Sequence, residues 1–192
     1  EGSQLIAELC EARPGERWLD LCAGAGGKSL ALAARGAQVV ACDIDRKRLD
    51  NLRARAKRAG VEARVQPMLI AEDGTTTPPG PFDGVLVDAP CSELGVLRRH
   101  PGLRWRLDER ALQGLPGLQA RLLHEGVTRL GQGGRGVYAT CSVHRAEAEG
   151  VLGACKLNWR HRQLLPSVEG TDGFFMAASD GAAIERLPRV GP

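Results

Sequence analysis

The sequence has no run of about 18 apolar residues, so no segment reads as a membrane-spanning helix. No secretory pattern opens it. No two of its six cysteines form a C-x-x-C pair, which argues against a metal site of the zinc kind and against a thioredoxin-like redox motif. With no export signal, free thiols in a reducing cytoplasm are the expectation. Lysine is scarce: four lysines stand against 22 arginines, and the net charge is only +3. Arginine suits bidentate contact with phosphate. A GC-rich genome produces the same bias, and composition alone favours that plainer reading. Internal repeats and low-complexity stretches are also missing. What remains is an ordinary globular composition over 192 residues, enough for one domain with a sizeable core.

The first informative stretch is "LCAGAGGKS" at 21–29. Its Gly-Lys-Ser ending matches a phosphate-binding loop, but that loop needs a Gly where Cys22 stands. The dinucleotide fingerprint G-x-G-x-x-G fits Gly24 and Gly26, and its third glycine falls on Ser29. The physics beneath both motifs survives. "RWLDLC" (17–22) reads as a buried strand, and "KSLALAARG" (28–36) as a helix ending at Gly36. Between them Gly24, Gly26 and Gly27 permit a tight turn and close backbone approach, so Cys22–Lys28 forms a cradle at a helix N-terminus. "AQVVACD" (37–43) reads as the next strand. Asp43 closes it 19 positions after Gly24, a spacing at which an acid holds a ribose diol. A ligand carrying a ribose is expected; a phosphate is not required.

Further along, residues 1–12 read as a short helix and 46–59 as a basic amphipathic helix stopped by Gly60. Leu49, Leu52 and Ala56 would face the sheet. Residues 62–68 read as a third strand, 72–81 as a loop, and "FDGVLVD" (82–88) as a central parallel strand. A helical region at 108–130, broken near Gly114–Gly117, precedes a strand within 133–141. A short helix at 145–155 and a late strand at 173–179 complete the pattern. Strands alternating with helices predict a doubly wound, mostly parallel α/β sheet with helices on both faces. Ligands then gather at the carboxyl ends of the strands. Cys22 to Gly27, Asp43, Asp73, Asp88 to Cys91, and Cys141 to Ser142 should converge there.

Cys10, Cys22, Cys42 and Cys155 fit apolar patterns and are expected as small core residues. Cys91 in "DAPCS" and Cys141 in "ATCS" differ, because each ends a separate strand. A thiolate is a strong nucleophile, and a neighbouring cation such as Lys28 lowers a thiol pKa.

Together "DLCAGAGGKS", "ACDIDRKRL", "VLVDAPCS", "GVLRRHPGLRW" and "YATCSV" resemble the Sun/Fmu family of RNA cytosine-5 methyltransferases, nearest in pattern to the bacterial members acting on small-subunit ribosomal RNA. The likeness runs from "EGSQLIA" to "DGFF" at 172–175. It implies a Rossmann-like, S-adenosylmethionine-dependent catalytic domain over residues 1–192, with the family's N-terminal RNA-binding domain absent from these residues. It implies S-adenosylmethionine as cofactor, cradled by Cys22, Ala23, Gly24, Ala25, Gly26, Gly27 and Lys28. Asp43 would hold the ribose, with Arg48, Asp73 and Asp88 also at the cofactor. Cys141 would attack C6 of cytosine, Cys91 would assist release of product, and Asp88 would bond N3 and the exocyclic amine. Arg98, Arg99, His100, Arg104 and Arg106 would contact RNA, while Trp105 is expected in the core. DNA cytosine-5 methyltransferases use instead the cysteine equivalent to Cys91, so Cys141 favours RNA.

Two departures stand out. Glu93 and Leu94 occupy positions where the family carries small residues, and Ala148 follows Glu147 where the family has Asn. A non-catalytic relative that only binds cofactor or RNA, and an enzyme for transfer RNA or DNA, are the alternatives. The target nucleotide and the oligomeric state are not specified by the sequence.

Overall fold

A computed structural model of the chain describes residues 2–72, 76–105, 108–179, 184, 185 and 187. The elements in chain order are α1 (Gly2–Leu9), β1 (Arg17–Asp20), α2 (Gly27–Ala34), β2 (Gln38–Asp43), α3 (Arg46–Arg58) and β3 (Val65–Leu69), then β4 (Phe82–Asp88), α4 (Glu109–Val127), β5 (Leu130–Thr140), α5 (Glu149–Leu152), β6 (Arg160–Leu164), α6 (Pro166–Glu169) and β7 (Phe174–Ala178). The seven strands form one sheet in the order β3-β2-β1-β4-β5-β7-β6. The first five run parallel, and β7 pairs antiparallel with both β5 and β6.

Alternation within the strands divides the core between the two faces. Trp18, Val39, Ala41, Leu86 and Val137 pack on one side with Ile6 of α1, Leu32 of α2, and Leu49 and Leu52 of α3. Leu19, Val40, Cys42, Val85, Val87 and Tyr138 pack on the other with Leu123 of α4 and Val151 of α5. Each fully buried large side chain contributes about 1.5–3 kcal/mol of transfer free energy. Two near-continuous apolar layers therefore hold the sheet rigid, and its loops are free to carry polar groups.

Asp45 caps α3 by accepting the Lys47 and Arg48 amides, and the chain leaves that helix at Gly60, which has φ +67°. The order of strands reverses between β1 and β4, and crevices open at such reversals.

Three local expectations change. Residues 62–64 form a 3-10 turn, so β3 starts at Val65. α4 runs unbroken through Gly114, Pro116 and Gly117, because its second half is held against the sheet. Gly126 there lies so close to β4 that a Cβ would sit 2.8 Å from Val85. The segment 145–155 is a 3-10 turn followed by α5 rather than a single helix.

Gly84 shows how tightly the centre is packed. A Cβ on it would lie 2.3 Å from the indole of Trp18, on the adjacent strand β1. Trp18 is wholly buried, and its Nε1 donates to Glu16 at 3.1 Å. Gly84→Ala is therefore expected to lower unfolding free energy by about 1–3 kcal/mol through overpacking, read by urea denaturation. Gly153→Ala, where a Cβ meets nothing, is the control.

Candidate active site

The turn after β1 is held by three hydrogen bonds, to β2 and α3. Gly24 N–H donates to Asp43 Oδ2 at 2.8 Å, and Ala23 N–H donates to the Cys42 carbonyl at 2.8 Å. From α3, Arg55 donates to the Ala25 carbonyl at 2.7 Å. Gly26 has φ +83°, and a Cβ there would stand 2.5 Å from Leu52 Cγ, so only glycine fits. Gly24 and Gly27 also line the cleft, and a Cβ on either meets no protein atom within 4 Å. The turn thus borders open space that a ligand can fill.

That space is a cleft of about 440 Å³ at the carboxyl ends of β1, β2, β4 and β5. It is within the range usual for small-molecule sites. Asp43, nearly buried, stands on its wall, with Arg48 beside it at 3.9 Å and largely exposed. Asp43 Oδ1 accepts the Asp45 amide at 2.8 Å, so each oxygen of this carboxylate already takes one backbone bond. Ile44, 57% exposed, follows Asp43 at the cleft wall, an apolar surface that the sequence reading passed over.

Lys28 forms an ion pair with Asp88 across the cleft. Burial works against its charge, but Asp88 prevails and leaves the Lys28 pKa raised. This corrects the idea that Lys28 serves as a free cation for a thiol, because Asp88 neutralises it. Beneath the glycine turn lies Asp20, 1% exposed, which accepts the Ser29 hydroxyl at 2.6 Å. Burial raises its pKa to about 6, against the lowering effect of Ser29 and Lys28. Its place at the end of an apolar strand could have signalled a buried acid.

Cys91 and Cys141 reach the same cleft from neighbouring strands, their sulfurs 3.3 Å apart. The Cys91 thiol is pushed well up, first by its hydrogen bond to Cys141 and then by burial. Either thiol can donate in this contact. Four bonds fix the loops behind them. Ser92 N–H donates to Glu147 Oε2 at 2.9 Å, and the Ser92 and Ser142 hydroxyls meet at 3.1 Å. Gln119 of α4 donates to the Pro90 carbonyl at 2.9 Å, and Gly95 N–H to the Cys141 carbonyl at 3.0 Å. Glu147 is wholly buried, yet the sequence reading assigned it no role. The other thiols divide: Cys10, Cys42 and Cys155 are buried, whereas Cys22 is part-exposed on the cleft wall.

The arginine segment extends outward from Cys91. Arg99 pairs with Asp172 at 2.6 Å, and Arg98 lies 3.8 Å from the same carboxylate. His100 and Arg104 are exposed. Trp105, expected in the core, is 80% exposed on the 3-10 turn Pro101–Trp105. No residue of that turn is buried. Asp73 and Arg106 lie outside the described residues. Among the described residues no cluster of three or more His, Cys, Asp or Glu could hold a metal ion, and no helix is long and apolar enough to cross a membrane.

This sheet order, with a glycine turn after β1 and an acid at the end of β2, defines the S-adenosylmethionine-dependent methyltransferase fold. A methyltransferase homologue from Pyrococcus horikoshii superimposes with TM-score 0.77 at 28% identity, covering 93% of this chain and 66% of its own. The NSun6 structure from the same organism shares the fold, with TM-score 0.81 at 24% identity over 92% of this chain and 50% of its own. The family described as 16S rRNA methyltransferase RsmB/F matches residues 7–158, and the chain belongs to that family. Ribosomal RNA small subunit methyltransferase B of Thermus thermophilus is 41% identical over 189 residues, covering 98% of this chain and 46% of its own length. The protein of that name from Klebsiella pneumoniae is 39% identical over 182 residues, 85% of this chain and 41% of its own. The chain thus spans under half the length of these relatives.

Asp20 supplies a pH test. Its folded pKa of about 6 exceeds the ordinary carboxylate value, so its protonated form is the one the fold favours. Stability from this group is full below pH 4 and is lost as pH rises through 6. Asp20→Asn, which keeps an acceptor for Ser29, should remove that decline. Unfolding free energies of the two proteins from urea denaturation should therefore diverge in favour of the variant between pH 4 and pH 6, by up to about 3 kcal/mol.

Proposed function

We propose that residues 1–192 form a single catalytic domain that transfers a methyl group from S-adenosylmethionine to C5 of a cytosine in RNA, with small-subunit ribosomal RNA as substrate. The observation that carries this reading is the pair of thiols 3.3 Å apart in the cleft that also holds Asp43 and Asp88. The family match to 16S rRNA methyltransferases supports ribosomal RNA over transfer RNA or DNA. A ribosomal RNA substrate and free thiols are consistent with a cytoplasmic enzyme.

The residues of the cleft suit the cofactor. The remaining lone pairs of Asp43 suit ribose hydroxyls, Ile44 suits a flat base, and Gly24 and Gly27 leave room for close approach. Ala23, Ala25 and Gly26 keep the turn in shape, and Cys22, Lys28 and Asp88 would border the methionine portion. Arg48 stands over the ribose side of Asp43. S-adenosylmethionine supplies an electrophilic methyl group on a sulfonium.

C5 of cytosine is a poor nucleophile. The Cys141 thiolate adds to C6, which breaks the aromatic conjugation and makes C5 enamine-like. Asp88, steadied by Lys28, accepts hydrogen bonds from the base edge. After C5 takes the methyl, its proton must leave and the C6–sulfur bond must break. Cys91 suits this second half. Its sulfur lies 3.3 Å from the sulfur that forms the adduct. A base takes the C5 proton, the C5–H electron pair forms the C5–C6 double bond, and the Cys141 thiolate is expelled, with Cys91 beside it to assist the elimination.

Calorimetry with S-adenosylmethionine, with ATP and NAD as controls, tests the cofactor. Asp43→Ala should weaken binding by about tenfold or more, as expected for lost charged hydrogen bonds. Trapping on 5-fluorocytosine RNA tests the chemistry. The covalent adduct should disappear in Cys141→Ala and persist or accumulate in Cys91→Ala. The reverse pattern, or equal trapping on DNA, overturns the assignment; cofactor binding with no adduct would mark a non-catalytic relative.

A further inference from the structure

Single exposed apolar residues are common and need no explanation. Trp105 differs in its setting. It is the largest side chain type, 80% exposed, on a turn that continues from the cysteine loop. Residues 94–107 contain four arginines and a histidine and no acid. The Arg104 guanidinium lies over the Trp105 ring, 5.0 Å from its centroid. Cation and ring together make a flat, positively charged face at the surface.

The segment is also tied to the nucleophile. Gly95 N–H holds the Cys141 carbonyl, and Gly173 N–H holds the Gly95 carbonyl at 2.8 Å. Asp172, next to Gly173, holds Arg99. A ligand resting on this strip therefore rests on the frame that positions Cys141.

We propose that Trp105, with Arg104, is a stacking platform for an unpaired base of the RNA strand flanking the target cytosine. An aromatic face can stack on a base only where the base is not already stacked within a duplex, so the platform selects single-stranded RNA. Arg104 and His100 take the adjoining phosphates. Arg98 and Arg99, engaged by Asp172, brace the strip rather than bind first. This proposal rests on the RNA reading above and adds a contact and a preference for strand form to it.

Fluorescence tests it directly. Of the three tryptophans, Trp18 is wholly buried, Trp159 is half-buried and Trp105 is the most exposed, so the quenching lost in Trp105→Phe is the part that comes from Trp105. The 192-residue chain is titrated with an unstructured RNA 12-mer and, separately, with a fully paired hairpin of equal charge. The single strand should quench emission and bind more tightly than the hairpin. Trp105→Ala should weaken single-strand binding by about tenfold, read by anisotropy of labelled RNA, and Trp105→Phe should restore most of it. Equal affinity of Trp105→Ala and the parent chain overturns the platform. So does equal binding of hairpin and single strand, or no binding of RNA, which would leave the strip to a protein contact. Failure of the catalytic reading has a different signature: loss of the 5-fluorocytosine adduct with the platform measurements unchanged.

Discussion

The site depends on one pairing within the sheet. Asp88 of β4 lies opposite Ala139 of β5, and the two strands run parallel. Cys91 comes three residues after the first and Cys141 two after the second, so both chains leave the sheet side by side. The Ala89 amide, bonded to the Ala139 carbonyl at 3.0 Å, extends the ladder one step beyond Asp88. A slip of one residue in that register would turn the alternating side chains to the wrong face. The thiols would then no longer meet.

Buried acids hold the loops around this pair. Asp43, Glu147 and Asp20 are all nearly or fully buried; Asp43 and Glu147 accept backbone amides of loops at the cleft, and Asp20 accepts the Ser29 hydroxyl in the first turn of α2. Burying a carboxylate is costly unless its oxygens are satisfied. That cost makes the arrangement specific, since a loop that moves away strands a charge. Glu147 and Asp20 each retain one oxygen with no partner. The cleft is therefore shaped by polar anchors set on a rigid apolar sheet.

Much of this was legible in the sequence. The near-continuous apolar runs of β1, β2 and β4 and the apolar stripe of Leu49, Leu52 and Ala56 on α3 reflect burial, which composition records directly. The thiols at two strand ends, the acid closing β2 and the glycines of the turn were legible because chemistry restricts those positions to few residue types. Other features depend on partners distant in the chain. Lys28 meets Asp88 only after folding, and Glu147 finds Ser92 across 55 residues. β6, reading "RHRQL", escaped notice because an edge strand with a mostly exposed pattern carries no apolar signature. Trp105 misled because large aromatic residues are usually buried, and nothing local marks the exception.

Gly95 carries a consequence of its own. A Cβ there would lie 2.0 Å from the Gly173 carbonyl and 2.8 Å from the Cys141 carbonyl, so the backbone is pressed between two others with no slack. Three segments from distant parts of the chain meet at that point and act as one stiff bracket. Any displacement at the outer end, where Asp172 grips Arg99, reaches the Cys141 backbone through two hydrogen bonds. Reaction geometry tolerates errors of about an ångström poorly. The bracket thus makes the alignment of the sulfur sensitive to how the outer surface is loaded, and a force on that surface becomes mechanically linked to the placement of a single atom.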